Sequence, residues 1–186
     1  MNVLIPITNM MVDEARKNSD IILKNLKNKP NYTGLVKKDR YFIGLLGELV
    51  FKKFLDNEGK QYKYNVRLDG RSGGGDFDLY VSNSVVKVVD VKTASKFYYT
   101  RMLVPKVQLD NHPNCIYVAV KLNGLEEGEI FGYCYGEDFE IRPKGFTEEK
   151  IPTACKNLDD LEKIENLIIN VLDKEPTSNY DEGRYV

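Results

Sequence analysis

Gly73-Gly74-Gly75-Asp76-Phe77-Asp78-Leu79-Tyr80-Val81, followed after three residues by Val85-Val86-Lys87-Val88-Val89-Asp90-Val91-Lys92-Thr93-Ala94-Ser95, is the stretch on which the reading of this chain turns. Val, Tyr and Phe recur at period two between Gly, Asn and Ser, and Ser82-Asn83-Ser84 supplies a turn, which together mark a β-hairpin. Strand alternation places Asp76 and Asp78 on one face, opposite Phe77 and Leu79, and Asp90 with Lys92 on one face of the return strand. A turn at 82–84 is expected to bring Asp78 close to Asp90, so that two or three carboxylates crowd together beside a lysine.

Like charges held this close raise a pKa unless a cation neutralises them. Carboxylate oxygens are the hard ligands that Mg²⁺ selects, and the ion keeps waters that a substrate phosphate can displace. Lys92 is then placed to orient or deprotonate a water that attacks phosphorus, with the developing charge offset by the ion and the lysine. The arrangement reads as phosphodiester hydrolysis.

Upstream, residues 38–57 form a strong helix whose apolar residues cover nearly the whole circumference: Phe42, Ile43, Leu46, Val50 and Phe54 on one side, Leu45, Leu49, Phe51 and Leu55 on much of the other. Such a helix is buried. Glu48 lies on it, with Gly44 and Leu55 nearly in line, and an uncompensated carboxylate there costs several kcal/mol. It must meet a cation, a donor or a metal, or else snorkel outward or pair with Lys52.

Beyond this centre, residues 11–28 carry an amphipathic helix, and strands are expected at 61–67, 77–82, 84–91, 115–121 and 129–135. A short helix broken by Pro105 is expected within 100–110. A closing helix is expected over 158–172, from Leu158, Leu161, Ile164, Leu167, Ile168 and Val171, either covering the sheet or forming a dimer seam. The order gives an α/β fold, a mixed central sheet covered by helices, in a single domain over 1–186 with its core at 38–135 and a flexible tail at 174–186.

The 186 residues, 42% hydrophobic and 30% charged, exclude disorder, collagen and coiled coil, and a chain this long buries about 70% of its unfolded surface without a disulfide or structural metal. The net charge of −1 hides an asymmetry: residues 1–110 hold 19 Lys+Arg against 12 Asp+Glu, and 111–186 hold 8 against 16. A basic half points toward a polyanionic partner. Cys115, Cys134 and Cys155, about twenty residues apart, have neither zinc nor redox spacing and read as core residues of a reducing cytosol. No basic leader precedes the apolar start and no run approaches a membrane span, so a soluble cytoplasmic protein is expected.

Gly44-x-x-Gly47-Glu48 on a helix, Asp78-Leu79-Tyr80-Val81 on an outgoing strand and Asp90-Val91-Lys92 on the return strand resemble the PD-(D/E)xK nuclease superfamily, the restriction-endonuclease-like fold. The likeness spans residues 40–135, and its motif style is that of recombination nucleases and Holliday-junction resolvases. It implies a Mg²⁺-dependent deoxyribonuclease, with Mn²⁺ as substitute, in which Glu48 is the helical acid, Asp78 the hairpin acid, Asp90 the second metal-binding acid and Lys92 the catalytic lysine. The Val91 carbonyl completes the metal shell in such proteins. The family's Pro-Asp pair is missing, so Asp76 rivals Asp78. The recombination nucleases carry a Gln with a Tyr four residues later; Gln108 matches the first, whereas His112 stands in the second place.

Lys52, Lys53, Arg67, Tyr98, Arg101 and Gln108 are the candidate nucleic-acid contacts, by charge and by stacking, with a solvated face as the plainer account of each. Gly73–Gly75 lacks the Gly-Lys-Ser/Thr ending of a nucleotide-binding loop. Two alternatives stay open: a catalytically silent nucleic-acid-binding module of the same fold, and an unrelated α/β interaction protein.

Overall fold

The chain opens with a four-residue strand, β1 (Val3–Pro6), and two long helices, α1 (Asn9–Lys27) and α2 (Lys38–Asn57), in a computed structural model that describes residues 2–27, 38–69, 76–81, 84–95, 98–142 and 152–172. The hairpin turn at 82–83, the glycine run and the tail at 174–186 lie outside the described residues. Next come β2 (Tyr62–Tyr64), β3 (Phe77–Val81), β4 (Ser84–Ala94), β5 (Arg101–Pro105), α3 (Lys106–Asn111), β6 (Ile116–Asn123) and β7 (Glu127–Tyr135). The chain closes with β8 (Glu140–Arg142), β9 (Thr153–Asn157) and α4 (Ile164–Leu167), which runs on as a π-helical turn to Leu172.

Six strands form a mixed sheet in the order β1-β7-β6-β4-β3-β2, antiparallel throughout except for the parallel pair β4 and β6. A second, three-stranded antiparallel sheet has the order β5-β9-β8. The expected α/β mixed sheet with helices is therefore present, together with a second sheet that was not expected. β6 shows why the molecule has layers on both faces of the main sheet. Ile116, Val118, Val120 and Leu122 enter one core with α1, α2 and α4, while the alternating Cys115, Tyr117 and Ala119 enter another with β5, α3 and β9. A strand apolar on both faces belongs in the middle of such a stack. Cys115, Cys134 and Cys155 are free and buried. No helix among the described residues is long and apolar enough to cross a membrane.

Two expectations are corrected. Pro105 does not break a helix; it ends β5 and precedes α3, and β5 is an edge strand, where the missing N–H leaves no ladder bond unmade. The closing helix begins at Ile164, not 158. Leu158 belongs to the second core and Ile164 and Leu167 to the first, so the recurring leucines and isoleucines serve two cores rather than one stripe. Between them Glu162 exchanges both backbone hydrogen bonds with Tyr133 of β7, at 2.8 and 2.9 Å, which holds the chain extended there. Gly132, with φ of +154°, makes room: a Cβ would lie 2.2 Å from the Glu162 carbonyl oxygen.

Candidate functional site

α2 crosses β4 at Gly47, where a side chain has no room: a Cβ would stand 1.9 Å from Thr93 Oγ1. The next residue, Glu48, accepts a hydrogen bond from the Tyr64 hydroxyl at 2.8 Å. The Tyr64 ring is itself fixed by stacking on Phe77, with centroids 4.9 Å apart. Burial pushes the Glu48 carboxyl up to about 8, the charges of Asp76 and Asp90 add to the rise, and Tyr64 and Lys92 oppose it.

Asp76 immediately precedes β3 and is held by the backbone on both sides. Its N–H donates to the Val89 carbonyl at 2.6 Å, and its carbonyl accepts from the Asn65 N–H at 2.7 Å. Its carboxylate accepts from the Val91 N–H at 2.7 Å, continuing the hairpin ladder one step past the strand. Burial, and next the charge of Asp90, raise this carboxyl to about 7 against the lowering effects of Val91, Lys92 and Arg67. Asp90 is 4% exposed. It pairs with Lys92 Nζ at 2.5 Å and accepts from Gln108 Nε2, while Lys92 Nζ donates to Gln108 Oε1 at 3.1 Å. A closed ring of three side chains from β4 and α3 results, with the Lys92 ammonium also 5.9 Å from the centre of the Tyr117 ring.

The structure thus brings together Glu48, Asp76, Asp90, Lys92 and Gln108, and does not place Asp78 opposite Asp90. The register pairs Phe77 with Val89 and Asp78 with Val88, so position 76 falls opposite Asp90. The expectation that Asp78 lies close to Asp90 is corrected: Asp76 takes that place. Alternation put both aspartates on one face, and only the pairing register, set by Val81 opposite Ser84 and an irregularity between Leu79 and Tyr80, separates them. Val91 is buried, and because an extended residue directs its N–H and C=O to the same neighbour, its carbonyl lies on the Asp76 side.

Among the proposed nucleic-acid contacts, Arg67 acts on Asp76 and Gln108 is part of the cluster. Lys52 and Lys53 are not: both line a groove against α1, and Lys52 pairs with Asp56 at 3.5 Å. Tyr98 is exposed, edge-on to Tyr99, and Arg101 donates to Asn157 Oδ1 at 3.2 Å. Sequence reasoning missed Tyr64 and Tyr117. The signal for Tyr64 was available, since a buried glutamate on α2 requires a donor and Tyr62-Lys63-Tyr64 presents hydroxyls on the following strand.

Glu48, Asp76 and Asp90 offer hard oxygen donors whose mutual repulsion a divalent cation would relieve, and with the Val91 carbonyl they suit Mg²⁺, which is held by one or two carboxylates and substrate phosphates. Among the described residues no three His, Cys, Asp or Glu side chains close into a ready metal cage. The fit rests on donor chemistry. In comparisons of the sequence with protein-family models and with curated proteins, no family model and no curated protein matched.

Proposed function

We propose that this chain is a Mg²⁺-dependent deoxyribonuclease of the restriction-endonuclease-like fold. One observation carries the reading: Glu48 from α2, Asp76 from the position just ahead of β3, and Asp90 and Lys92 from β4 interact as one electrostatic group, a helix and the two arms of the hairpin each contributing. Asp76, Asp90 and the Val91 carbonyl would hold the ion and Glu48 would support it. When bound, the ion supplies Lewis-acid charge at the phosphate and acidifies water.

The chain's own residues do the rest. Lys92, 22% exposed on its side chain, reaches solvent from a fixed position and aims a positive charge where the phosphorane oxygens gain negative charge. Gln108 positions it by bonding to Lys92 and Asp90 together, and Tyr64 orients Glu48. The basic first 110 residues favour a polyanion such as DNA.

The test is incubation with a panel of labelled DNA and RNA single strands, duplexes, flaps and junctions in Mg²⁺, Mn²⁺ or EDTA. Cleavage that needs the metal and disappears in Asp90→Asn is expected. Binding without cutting by the parent protein would favour the silent module, and neither binding nor cutting would favour the interaction protein.

A further inference from the structure

Lys92 has a second side. Besides its place in the acid cluster it lines a cleft of about 330 Å³ between the main sheet and β5. That volume is at the lower end of the ~300 to 1,000 Å³ of small-ligand sites. Ala119, which pairs with Lys92 in the β4–β6 register, forms the floor, and Phe131 of β7, Met102 of β5 and Tyr99 add apolar wall. The charged residues that line it among those described are all cationic, Arg40, Lys92, Arg101 and Lys121, with Lys92 also paired to Asp90 behind it. Lys121 lies over the Phe131 ring, 5.2 Å from its centre. Aromatic wall, cationic surround and small volume form the combination that takes one base by its π-face and its phosphates by charge.

We propose that this cleft receives a single unpaired nucleotide of the DNA strand, immediately beside the phosphodiester bond presented to the acid cluster. The inference rests on the nuclease reading of that cluster and adds the form of the substrate. A base inside a duplex enters only by leaving its stack, which opposes binding, whereas a base in a single strand is already free. The substrate class is therefore single-stranded DNA or an unpaired segment, and the nucleotide beside the cut is read by shape rather than by hydrogen-bond pattern.

The experiment uses the full chain in Ca²⁺ in place of Mg²⁺, with a single-stranded oligonucleotide carrying 2-aminopurine at successive positions, the same oligonucleotide as a duplex, and an abasic scan. One position is expected to change fluorescence apart from its neighbours, an abasic site there to weaken binding about 10-fold, the scale of one lost base stack, and the duplex to bind at least 10-fold more weakly. Ala119→Leu, which fills the floor, and Phe131→Ala, which leaves more room but removes a ring, should each abolish the position-specific signal. Two variants guard against one failing to fold. A flat abasic scan with equal single-strand and duplex affinity, alongside metal-dependent cleavage in Mg²⁺, overturns the inference and leaves the nuclease reading standing. No binding and no cleavage of any nucleic acid overturns both.

Discussion

Replacing Glu48 by glutamine measures the electrostatic load that the acid cluster places on the fold. The groups facing this carboxyl are Tyr64 of β2, Asp76 ahead of β3, and Asp90 and Lys92 of β4. An unfolded chain releases the Glu48 proton near its ordinary value of 4.5, while the folded protein holds it until about 8. Between these values the unfolded state binds fewer protons, so stability falls as pH rises from about 4.5 to about 8 and stays low above that. At ~1.4 kcal/mol per pH unit the upper limit is ~5 kcal/mol. Glutamine keeps an acceptor for the Tyr64 hydroxyl but buries an amide of its own, which reduces the expected gain to ~1 to 3 kcal/mol. For a chain of this length that corresponds to a Tm higher by ~2 to 10 °C at pH 8 and by nearly nothing at pH 4. The assay is thermal unfolding by circular dichroism in EDTA across pH 4 to 9. Superimposable Tm profiles for the parent and Glu48→Gln would mean that Glu48 titrates as an exposed glutamate, and the argument for a strained acid cluster would be refuted.

Mg²⁺ or Mn²⁺ should raise the Tm of the parent at pH 8 by relieving the same repulsion, and Asp90→Asn should lose most of that rise; unfolding curves with and without saturating metal decide this. Lys92→Ala should retain metal and DNA binding while cleavage falls by about 10² or more, seen by setting Mn²⁺ calorimetry beside a cleavage assay, and undiminished cleavage would remove the lysine from its role. Gly47→Ala should destabilise by about 1 to 3 kcal/mol in urea unfolding, because its Cβ meets Thr93 Oγ1, Cγ2 and Cβ at 1.9, 2.6 and 2.8 Å and α2 must move off β4.

The parts of the molecule legible in the sequence are those where one local pattern answers to one environment. α2 is apolar nearly all round and is buried; β3 and β4 alternate, with Phe77, Leu79, Val89 and Val91 in the first core and Val88 and Asp90 turned to the other face. What escaped depends on partners distant in the chain. Thr153-Ala154-Cys155-Lys156-Asn157 has little β propensity of its own and is a strand because β5 and β8 flank it. Val3-Leu4-Ile5-Pro6 is a strand because β7 offers an edge. Which of Asp76 and Asp78 lies opposite Asp90 depended on register, which alternation on a single strand cannot supply.

The pairing of β1 with β7 has a consequence for synthesis of the chain. Val3 waits for Ile130, and Asn2 for Glu129, 127 positions later, so at ~5 to 20 residues per second the first strand leaves the ribosome many seconds before its partner exists. β4 likewise lacks its parallel neighbour until residues 116–123 have been made. All the acids of the cluster and their lysine are therefore translated onto a half-built sheet, with long-range closure still to come, the arrangement that folds slowly and exposes edges. A nascent chain stalled near residue 95 would possess every charged member of the cluster and no scaffold to hold them together, and it is in this interval that a chaperone would have most to protect.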